Sequence, residues 1–196
     1  MSQGPERWRV FIAVELPAAV KSSLVAAMEA LAPLSEVVRT SPPEGIHLTL
    51  HFLGHIELDR VDDVHRAVAP VAGATGRFAV DVEALGAFPS MTRPRVVWAG
   101  IAGVDRGRLL VLQAATGRAL RAAGFELEAR AYAPHLTLGR VRRPPNAAER
   151  KELKRWQEET SQAVAGRVPV DSISLMRSEL GFRPPRYTRL RDYPLQ

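Results

Sequence analysis

The tetrapeptide His-Leu-Thr-Leu occurs twice in this chain of 196 residues, at 47–50 and again at 135–138. The two copies lie 88 residues apart, counted from His47 to His135. Similar successions of predicted strands and helices surround each copy. A chain with two matched segments of this length is expected to form two related units that share one interface. Ligands tend to bind at such an interface.

The order of the predicted elements is the same around both copies: strand, helix, short strand, His-Leu-Thr-Leu strand, helix, strand. In the first half, β-branched or alternating runs and periodic apolar residues predict strands at 8–16, 35–40, 46–53 and 77–86, and helices at 17–34 and 58–72. In the second half, the same signals predict strands at 95–101, 125–130, 131–141, 168–177 and 186–193, and helices at 105–123 and 146–163. Gly124 is expected to end the third helix, and Asn146 is expected to cap the fourth.

These elements predict an α+β protein. Its two pseudo-symmetric lobes of antiparallel sheet carry helices on the outside, and an active groove lies between them. The whole chain, 1–196, is expected to be a single domain built from an internal repeat, about 8–90 and about 95–193. No stretch rich in Gly and Ser separates the two halves.

The composition narrows the class of protein. The chain has no cysteine, so a disulfide framework, a thiolate metal site and a cysteine nucleophile are excluded. The apolar run at 10–16 is short and is followed by Pro17, so it predicts neither a signal peptide nor a membrane span. A cytoplasmic protein is therefore expected. The formal net charge of +6 comes almost entirely from arginine, which suits phosphate binding but equally fits a GC-rich genome.

The repeated motif combines an imidazole with a hydroxyl. Strand alternation predicts one face with His47, Thr49 and His51, and an opposite face with Leu48, Leu50 and Phe52. The second motif pairs His135 with Thr137 in the same way. Two such pairs across one groove suit phosphoryl chemistry, because a neutral histidine can accept a proton while a protonated one donates, each contributing about 10²–10⁴ in rate. The hydroxyls can donate to phosphate oxygens, and Arg140 is expected at the same rim, where it can clamp a phosphate or stack on a base.

These histidines allow two other interpretations. The spacing of His47 and His51 resembles that of a helical zinc motif, but Leu48 stands where that motif has Glu, and a strand separates the two rings by roughly 13 Å. No metal site is therefore predicted. A purely structural role stays open, since duplication could copy a structural His-Thr pair. His51 is interpreted as a groove-lining, substrate-contacting residue, and His55 and His65 as surface or packing residues.

With these motifs, the chain resembles a known family, the 2H phosphoesterases. Within that superfamily it is similar to the bacterial and archaeal RNA 2′,3′-cyclic phosphodiesterases, also called 2′-5′ RNA ligases. The resemblance covers nearly the whole chain and rests on RVFIAVELP (9–17), IHLTLHFLG (46–54), RPRVVWAGI (93–101), APHLTLGR (133–140) and SELGFRPPRYTRLRDYPL (178–195).

The resemblance implies a reaction and a role for each motif residue. The reaction is hydrolysis of a terminal RNA 2′,3′-cyclic phosphate to a 2′-phosphate, without a metal or other cofactor. His47 would be the proton donor and His135 the proton acceptor, Thr49 and Thr137 would hold the cyclic phosphate, and Arg140 would contact phosphate or base. The same site would run a reversible, ATP-independent 2′-5′ ligation. The expected partners are RNA ends, on tRNA-like or other molecules, with no membrane, no obligate protein partner and a monomeric state.

Two alternative functions stay open at this stage. One is a phosphoesterase that acts on a small cyclic nucleotide or nucleotide-sugar phosphate. The other is a non-catalytic module that binds RNA ends.

Overall fold

A computed structural model describes residues 6–162, 164–182 and 184–196 of the chain. Within these ranges it contains nine strands and four α-helices, in the order β1 (Arg7–Glu15), α1 (Ala18–Glu29), β2 (Val38–Thr40), β3 (His47–Glu57), α2 (Val61–Gly73), β4 (Phe78–Phe88), β5 (Val96–Ala102), α3 (Arg106–Ala122), β6 (His135–Val141), α4 (Ala147–Thr160), β7 (Gly166–Val170), β8 (Ser172–Glu179) and β9 (Arg186–Pro194). None of the helices described is both long enough and apolar enough to cross a membrane.

All nine strands belong to one sheet with the order β7-β4-β5-β6-β3-β1-β8-β9, and β2 pairs with β6 beside this path. Every neighbouring pair is antiparallel. Only Asp171 separates β7 from β8 in the chain, although five strands lie between them in the sheet. The sheet must therefore curl until its β7 edge approaches β8. The predicted α+β class with antiparallel sheet and outer helices is confirmed.

The two lobes of the sheet do not coincide with the two halves of the sequence. One lobe consists of β3, β1, β8 and β9, and the other of β6, β5, β4 and β7. The first half of the chain thus contributes β4 to the lobe of the second motif, and the second half contributes β8 and β9 to the lobe of the first. The internal repeat at about 8–90 and 95–193 stays a prediction.

One face of the sheet carries the main core, where apolar strand residues pack against the helices. Ile12, Leu48 and Leu136 on the strands and Leu24 and Leu112 on the helices are fully or almost fully buried there. The opposite face carries a smaller apolar cluster of Phe11, Ala13 and Met176, with Tyr187 packed against it. This second face is the one that bears the functional groups described below.

Two helix ends form as the sequence predicts. At the start of α4, the Asn146 side chain accepts a hydrogen bond from the Glu149 backbone N–H, and the Glu149 side chain accepts one from the Asn146 N–H. At the end of α3, Gly124 adopts a φ of +80°, and the following N–H, of Phe125, donates to the Leu120 carbonyl oxygen.

Besides shifts of a few residues at the ends of other elements, four predicted elements differ from the structure. Residues 125–130 form no strand, because both sides of β6 are already occupied, by β5 on one side and by β3 and β2 on the other. The strand predicted at 131–141 starts only at His135, after Pro134. The strand predicted at 168–177 is divided into β7 and β8 at Asp171, and the helix predicted at 17–34 ends at Glu29.

Candidate active site

The two His-Leu-Thr-Leu strands are neighbours in the centre of the sheet. Strands β3 and β6 are antiparallel and meet at a single residue pair, Leu48 with Leu136. Continuing this register by one residue in each direction sets His47 across from Thr137 and Thr49 across from His135. Both leucines are fully buried on the core side, so the histidines and threonines project from the opposite face.

This face forms the floor of a cleft of about 1250 Å³. All six residues that the sequence assigns to the site line it: His47, Thr49, His51, His135, Thr137 and Arg140. Among the described residues, its lining includes five arginines and a single carboxylate, which are Arg9, Arg39, Arg130, Arg140, Arg142 and Glu128. An excess of guanidinium groups in a confined cleft creates a positive potential that attracts phosphate.

The His47 ring is held between aromatic side chains. It stacks on Phe11, with 4.5 Å between the ring centroids, and meets the edge of Tyr187 at 5.3 Å. Burial in this setting lowers the pKa of His47 to about 4, against the opposing effect of a hydrogen bond to the Gly45 backbone. The unliganded ring is therefore neutral at pH 7.

The His135 ring has a matching arrangement. Its Nδ1 lies 2.7 Å from the Ala133 carbonyl oxygen, to which it donates, and the edge of Phe88 lies 4.9 Å from it between centroids. Burial lowers the pKa of His135, the Ala133 hydrogen bond raises it, and the nearby Arg140 and Arg130 guanidinium groups lower it further. In the neutral ring Nδ1 carries the proton, so Nε2 is left as an acceptor. Each motif histidine thus bonds to the backbone two residues before it.

A β-bulge in β3 interrupts the predicted alternation of side chains between the two faces of the sheet after Thr49. Ala13 pairs with Thr49 and Ile12 pairs with His51, so Leu50 is an extra residue on β3. Cross-strand partners share a face, and Ile12 belongs to the core. The prediction that His51 shares the face of Thr49 is therefore wrong.

His51 lies between the sheet and α3, at the inner edge of the cleft. It is 7% exposed, and its Nε2 donates to the Gln113 carbonyl oxygen over 2.8 Å. Gly117 makes room for the ring, since a Cβ there would lie 2.8 Å from His51 Cε1. Phe52, which was predicted to face the core, instead pairs with Phe11 on the cleft face and is 48% exposed.

A second bulge, in β6, brings Arg140 into the site. Trp98 pairs with Thr137, and Val97 pairs with Gly139, so Leu138 is the extra residue. Without this bulge Arg140 would share the buried face of Leu138. With it, Arg140 follows Thr137 on the cleft face, as its place in the cleft lining also indicates.

Sequence reasoning missed most of the aromatic side chains of the cleft. They come from five separate segments of the chain: Phe11, Phe52, Tyr132, Phe182 and Tyr187. Tyr132 also ties the two motifs together, because its hydroxyl donates to the Thr49 carbonyl oxygen over 3.0 Å. Alternation in the first strand could have indicated Phe11, but Phe52 reaches the cleft only through the bulge.

Metal ligands do not cluster in the part of the chain that the structure describes. It contains no group of three or more His, Cys, Asp or Glu side chains that could hold a metal ion.

Comparisons with known proteins place these features in a family. The model of the 2′-5′ RNA ligase superfamily matches residues 10–181. Among curated proteins, the chain is 33% identical to an RNA 2′,3′-cyclic phosphodiesterase of Aeropyrum pernix over 78% of this chain and 84% of that protein. It is 29% identical to an RNA 2′,3′-cyclic phosphodiesterase of Methanothermobacter thermautotrophicus over 95% of this chain and 98% of that protein.

Solved structures share the fold. A protein of Thermus thermophilus is 28% identical, with a TM-score of 0.73 over 95% of this chain and 97% of that one. Escherichia coli LigT in complex with 3′-AMP has the same fold at 23% identity, with a TM-score of 0.74 over 97% of this chain and 99% of LigT. The family match spans both motifs and most of the chain, and therefore this chain belongs to the 2′-5′ RNA ligase superfamily of 2H phosphoesterases.

Proposed function

We propose that this protein is an enzyme that hydrolyses a terminal RNA 2′,3′-cyclic phosphate to a 2′-phosphate by a two-histidine acid–base mechanism. The observation that carries the proposal is the pair of His-x-Thr motifs, set side by side in antiparallel register on the floor of one arginine-rich cleft. The names of the curated relatives support the substrate class.

His135 is the proton acceptor in this proposal. Because its Nδ1 donates to the Ala133 carbonyl, the neutral ring offers Nε2 to a water molecule. Burial and two nearby guanidinium groups keep its pKa low, so that the ring is neutral and ready to accept a proton. The water attacks phosphorus as Nε2 takes one of its protons.

His47 is the proton donor. The bond between phosphorus and the 3′ oxygen breaks, His47 gives this oxygen its proton, and the RNA keeps a 2′-phosphate and a 3′-hydroxyl. Free His47 has a pKa of about 4, so the donor must be protonated in the complex. An anionic cyclic phosphate beside the ring favours the charged form and raises the pKa. In this mechanism, binding of the substrate therefore increases the protonated fraction of His47.

The threonines and Arg140 bind the reacting phosphate in this mechanism. Thr49 and Thr137 project between the two rings and would donate hydrogen bonds to the non-bridging oxygens, on which charge accumulates. Arg140, turned to the same face by the bulge at Leu138, supplies a charge-assisted contact. His51, whose Nε2 already donates to Gln113, acts at most at the edge of the substrate.

The same attack on phosphorus also gives ligation when the nucleophile is an RNA hydroxyl. If the 5′-hydroxyl of a second RNA takes the place of water, its attack on phosphorus gives a 2′-5′ phosphodiester and releases the 3′-hydroxyl. No ATP is needed, because the cyclic end already contains the phosphate. We further propose that the protein is a cytoplasmic monomer, with RNA ends as its partners and a single domain built from two repeats.

The pH dependence of the reaction is expected to reflect the lowered pKa values of both histidines. The acceptor works only when neutral, so the rate rises with pH through the pKa of His135. The donor works only when protonated, so the rate falls as pH rises through the pKa of His47. Both values lie below the ordinary histidine pKa of about 6.5 in the free protein, so kcat/KM is expected to peak on the acid side of pH 6.5.

In the pH profile of kcat, the descending limb is expected at higher pH than in the profile of kcat/KM, because bound phosphate raises the pKa of His47. Full pH–rate profiles between about pH 4 and pH 9 test both statements. A kcat/KM maximum above about pH 7 would contradict them.

The experiment that tests the function is turnover of a short RNA with a 2′,3′-cyclic phosphate end in the presence of EDTA. The expected product is the 2′-phosphate, formed at the same rate with and without the chelator. A 3′-phosphate product would show that the 2′ oxygen, and not the 3′ oxygen, is the leaving group. Inhibition by EDTA would exclude the metal-free mechanism. Turnover of only a small cyclic nucleotide or nucleotide-sugar phosphate would exclude RNA as substrate, and salt-dependent RNA binding without turnover would exclude catalysis.

A further inference from the structure

One end of the cleft carries a cluster of three arginines, Arg39, Arg140 and Arg142, which we call the arginine end. Arg39 on β2 is the direct cross-strand partner of Arg140 on β6, so both lie on the cleft face. Arg142 follows two residues after Arg140 and lines the same cleft. Because Thr137 and Arg140 pair with Trp98 and Val96, two residues apart on β5, the Arg140 backbone lies roughly 7 Å along the sheet from Thr137, and that of Arg142 roughly 13 Å.

The backbone beneath the arginine end is tightly held. The Ser41 N–H donates to the Leu138 carbonyl oxygen, and the Arg142 N–H donates to that of Val37, each over 2.7 Å. At Gly139, an added Cβ would lie 2.9 Å from the Arg39 carbonyl oxygen, so β2 can approach this closely only because the residue is glycine. The position of Arg39 beside Arg140 is therefore built into the sheet.

Among the described residues, no carboxylate forms an ion pair with the arginine end. The described arginines that do form ion pairs are other ones: Arg60, Arg66, Arg108, Arg143, Arg155, Arg177, Arg189 and Arg191. Arg143 gives a close contrast, since both of its terminal nitrogens bond to the Glu149 carboxylate. Three arginines that line one end of the cleft without such a partner create a positive potential that favours binding of an anion.

The opposite end of the cleft has a different character. Phe52 lies 88 residues before Arg140 and occupies the same position in its own strand, two residues after the bulged leucine. Leu180 and Phe182 also line the cleft and are 54% and 41% exposed. The two motifs are alike, but the sites beyond them differ: one offers guanidinium groups and the other offers mainly apolar surface, with Arg9 beside it.

We propose that Arg39 and Arg142 form a second phosphate subsite, which binds the phosphodiester on the 5′ side of the terminal nucleotide. This inference rests on the proposed function. An RNA that ends in a 2′,3′-cyclic phosphate can continue only through its 5′ oxygen, so its next anion is that phosphodiester. With the cyclic phosphate between the His-x-Thr motifs, the arginine end offers the most positive charge to this phosphodiester, since three of the five arginines in the described cleft lining lie there. The subsite makes the enzyme prefer oligonucleotides to mononucleotides.

The test compares Arg39→Gln, Arg142→Gln and the double variant on two substrates. One is 2′,3′-cyclic AMP, which has no 5′ phosphate, and the other is a short oligoribonucleotide with the same terminal nucleotide. The ratio of the two kcat/KM values, oligonucleotide over mononucleotide, is expected to fall about tenfold for each single variant. In a direct binding assay with the oligonucleotide, each lost contact is expected to flatten the slope of log Kd against log salt by about 0.7.

Arg118→Gln is the matched control, since Arg118 is exposed on α3 and lies outside the cleft lining. It is expected to change neither the ratio nor the slope, whereas Arg39→Lys, which keeps the charge, is expected to restore part of the preference. A ratio and a slope that stay at the wild-type values in the double variant would overturn the subsite. The binding assay requires no turnover, so a failure of the proposed reaction is distinguished from a failure of this inference.

Discussion

Replacement of His135 by alanine is expected to lower kcat for the cyclic phosphate end by about 10²–10⁴. The variant loses the Nε2 acceptor that activates water, while the Ala133 carbonyl and the Phe88 ring that held the imidazole remain in place. Replacement of His47 by alanine is expected to cause a loss of similar size, because the 3′ oxygen must then leave without a proton. Single-turnover rates with saturating enzyme measure these losses free of any change in binding.

His55→Ala is the matched control for these two variants. His55 lies on β3, the same strand as His47, but it is exposed and outside the cleft lining. Its replacement is expected to leave the rate within about twofold of wild type, since surface substitutions rarely have larger effects. A His135→Ala protein that keeps more than about a tenth of the wild-type rate would contradict the acid–base assignment.

Replacement of Leu136 by alanine is expected to lower the free energy of unfolding by about 2–5 kcal/mol. Leu136 is fully buried, and with Leu48 it forms the one residue pair that joins β3 to β6. The lost contacts and the cavity would therefore fall at the centre of the sheet, directly behind the motif histidines. Because small domains are stable by only about 5–15 kcal/mol, this is a large fraction of the total.

Urea unfolding of wild type and variant measures this difference. Leu180→Ala makes the same chemical change at a side chain that is 54% exposed, and it is expected to stay within about 0.5 kcal/mol of wild type. Leu136→Met, which keeps the volume, is expected to cost less than about 1.5 kcal/mol. Equal stability of Leu136→Ala and Leu180→Ala would show that the β3–β6 contact does not hold the two lobes together.

The sequence predicted the elements that carry the motifs, because strand and helix periods are local properties. It could not predict where alternation breaks. His51 and Phe52 exchange faces since Leu50 is accommodated as a bulge, and a bulge depends on the register with β1 rather than on the residues of β3 alone. The same limit applies to Arg140, which reaches the cleft only past the bulge at Leu138.

A local sequence pattern also could not predict which strands pair with each other in the sheet. Residues 125–130 alternate as a strand does, but no free sheet edge is available to them beside β6. Residues 168–177 read as one continuous strand, yet Asp171 marks the point where the chain leaves the β4 edge and joins β1. Arg39 was missed for a similar reason, because only the pairing of β2 with β6 places it beside Arg140.

The exchange of strands between the two halves decides how this chain can be divided. Among the described strands, β4 pairs only with β5 and β7, which both come later in the chain, while β8 pairs on one side with β1 from the first half. A fragment that ends near residue 90 would keep β4 without either neighbour and would expose Val80 and Val82, which are buried in the whole protein. A fragment that begins near residue 95 would leave β8 without β1. We therefore expect that neither half folds on its own, and that a split version of this protein regains its sheet only by complementation between the two fragments.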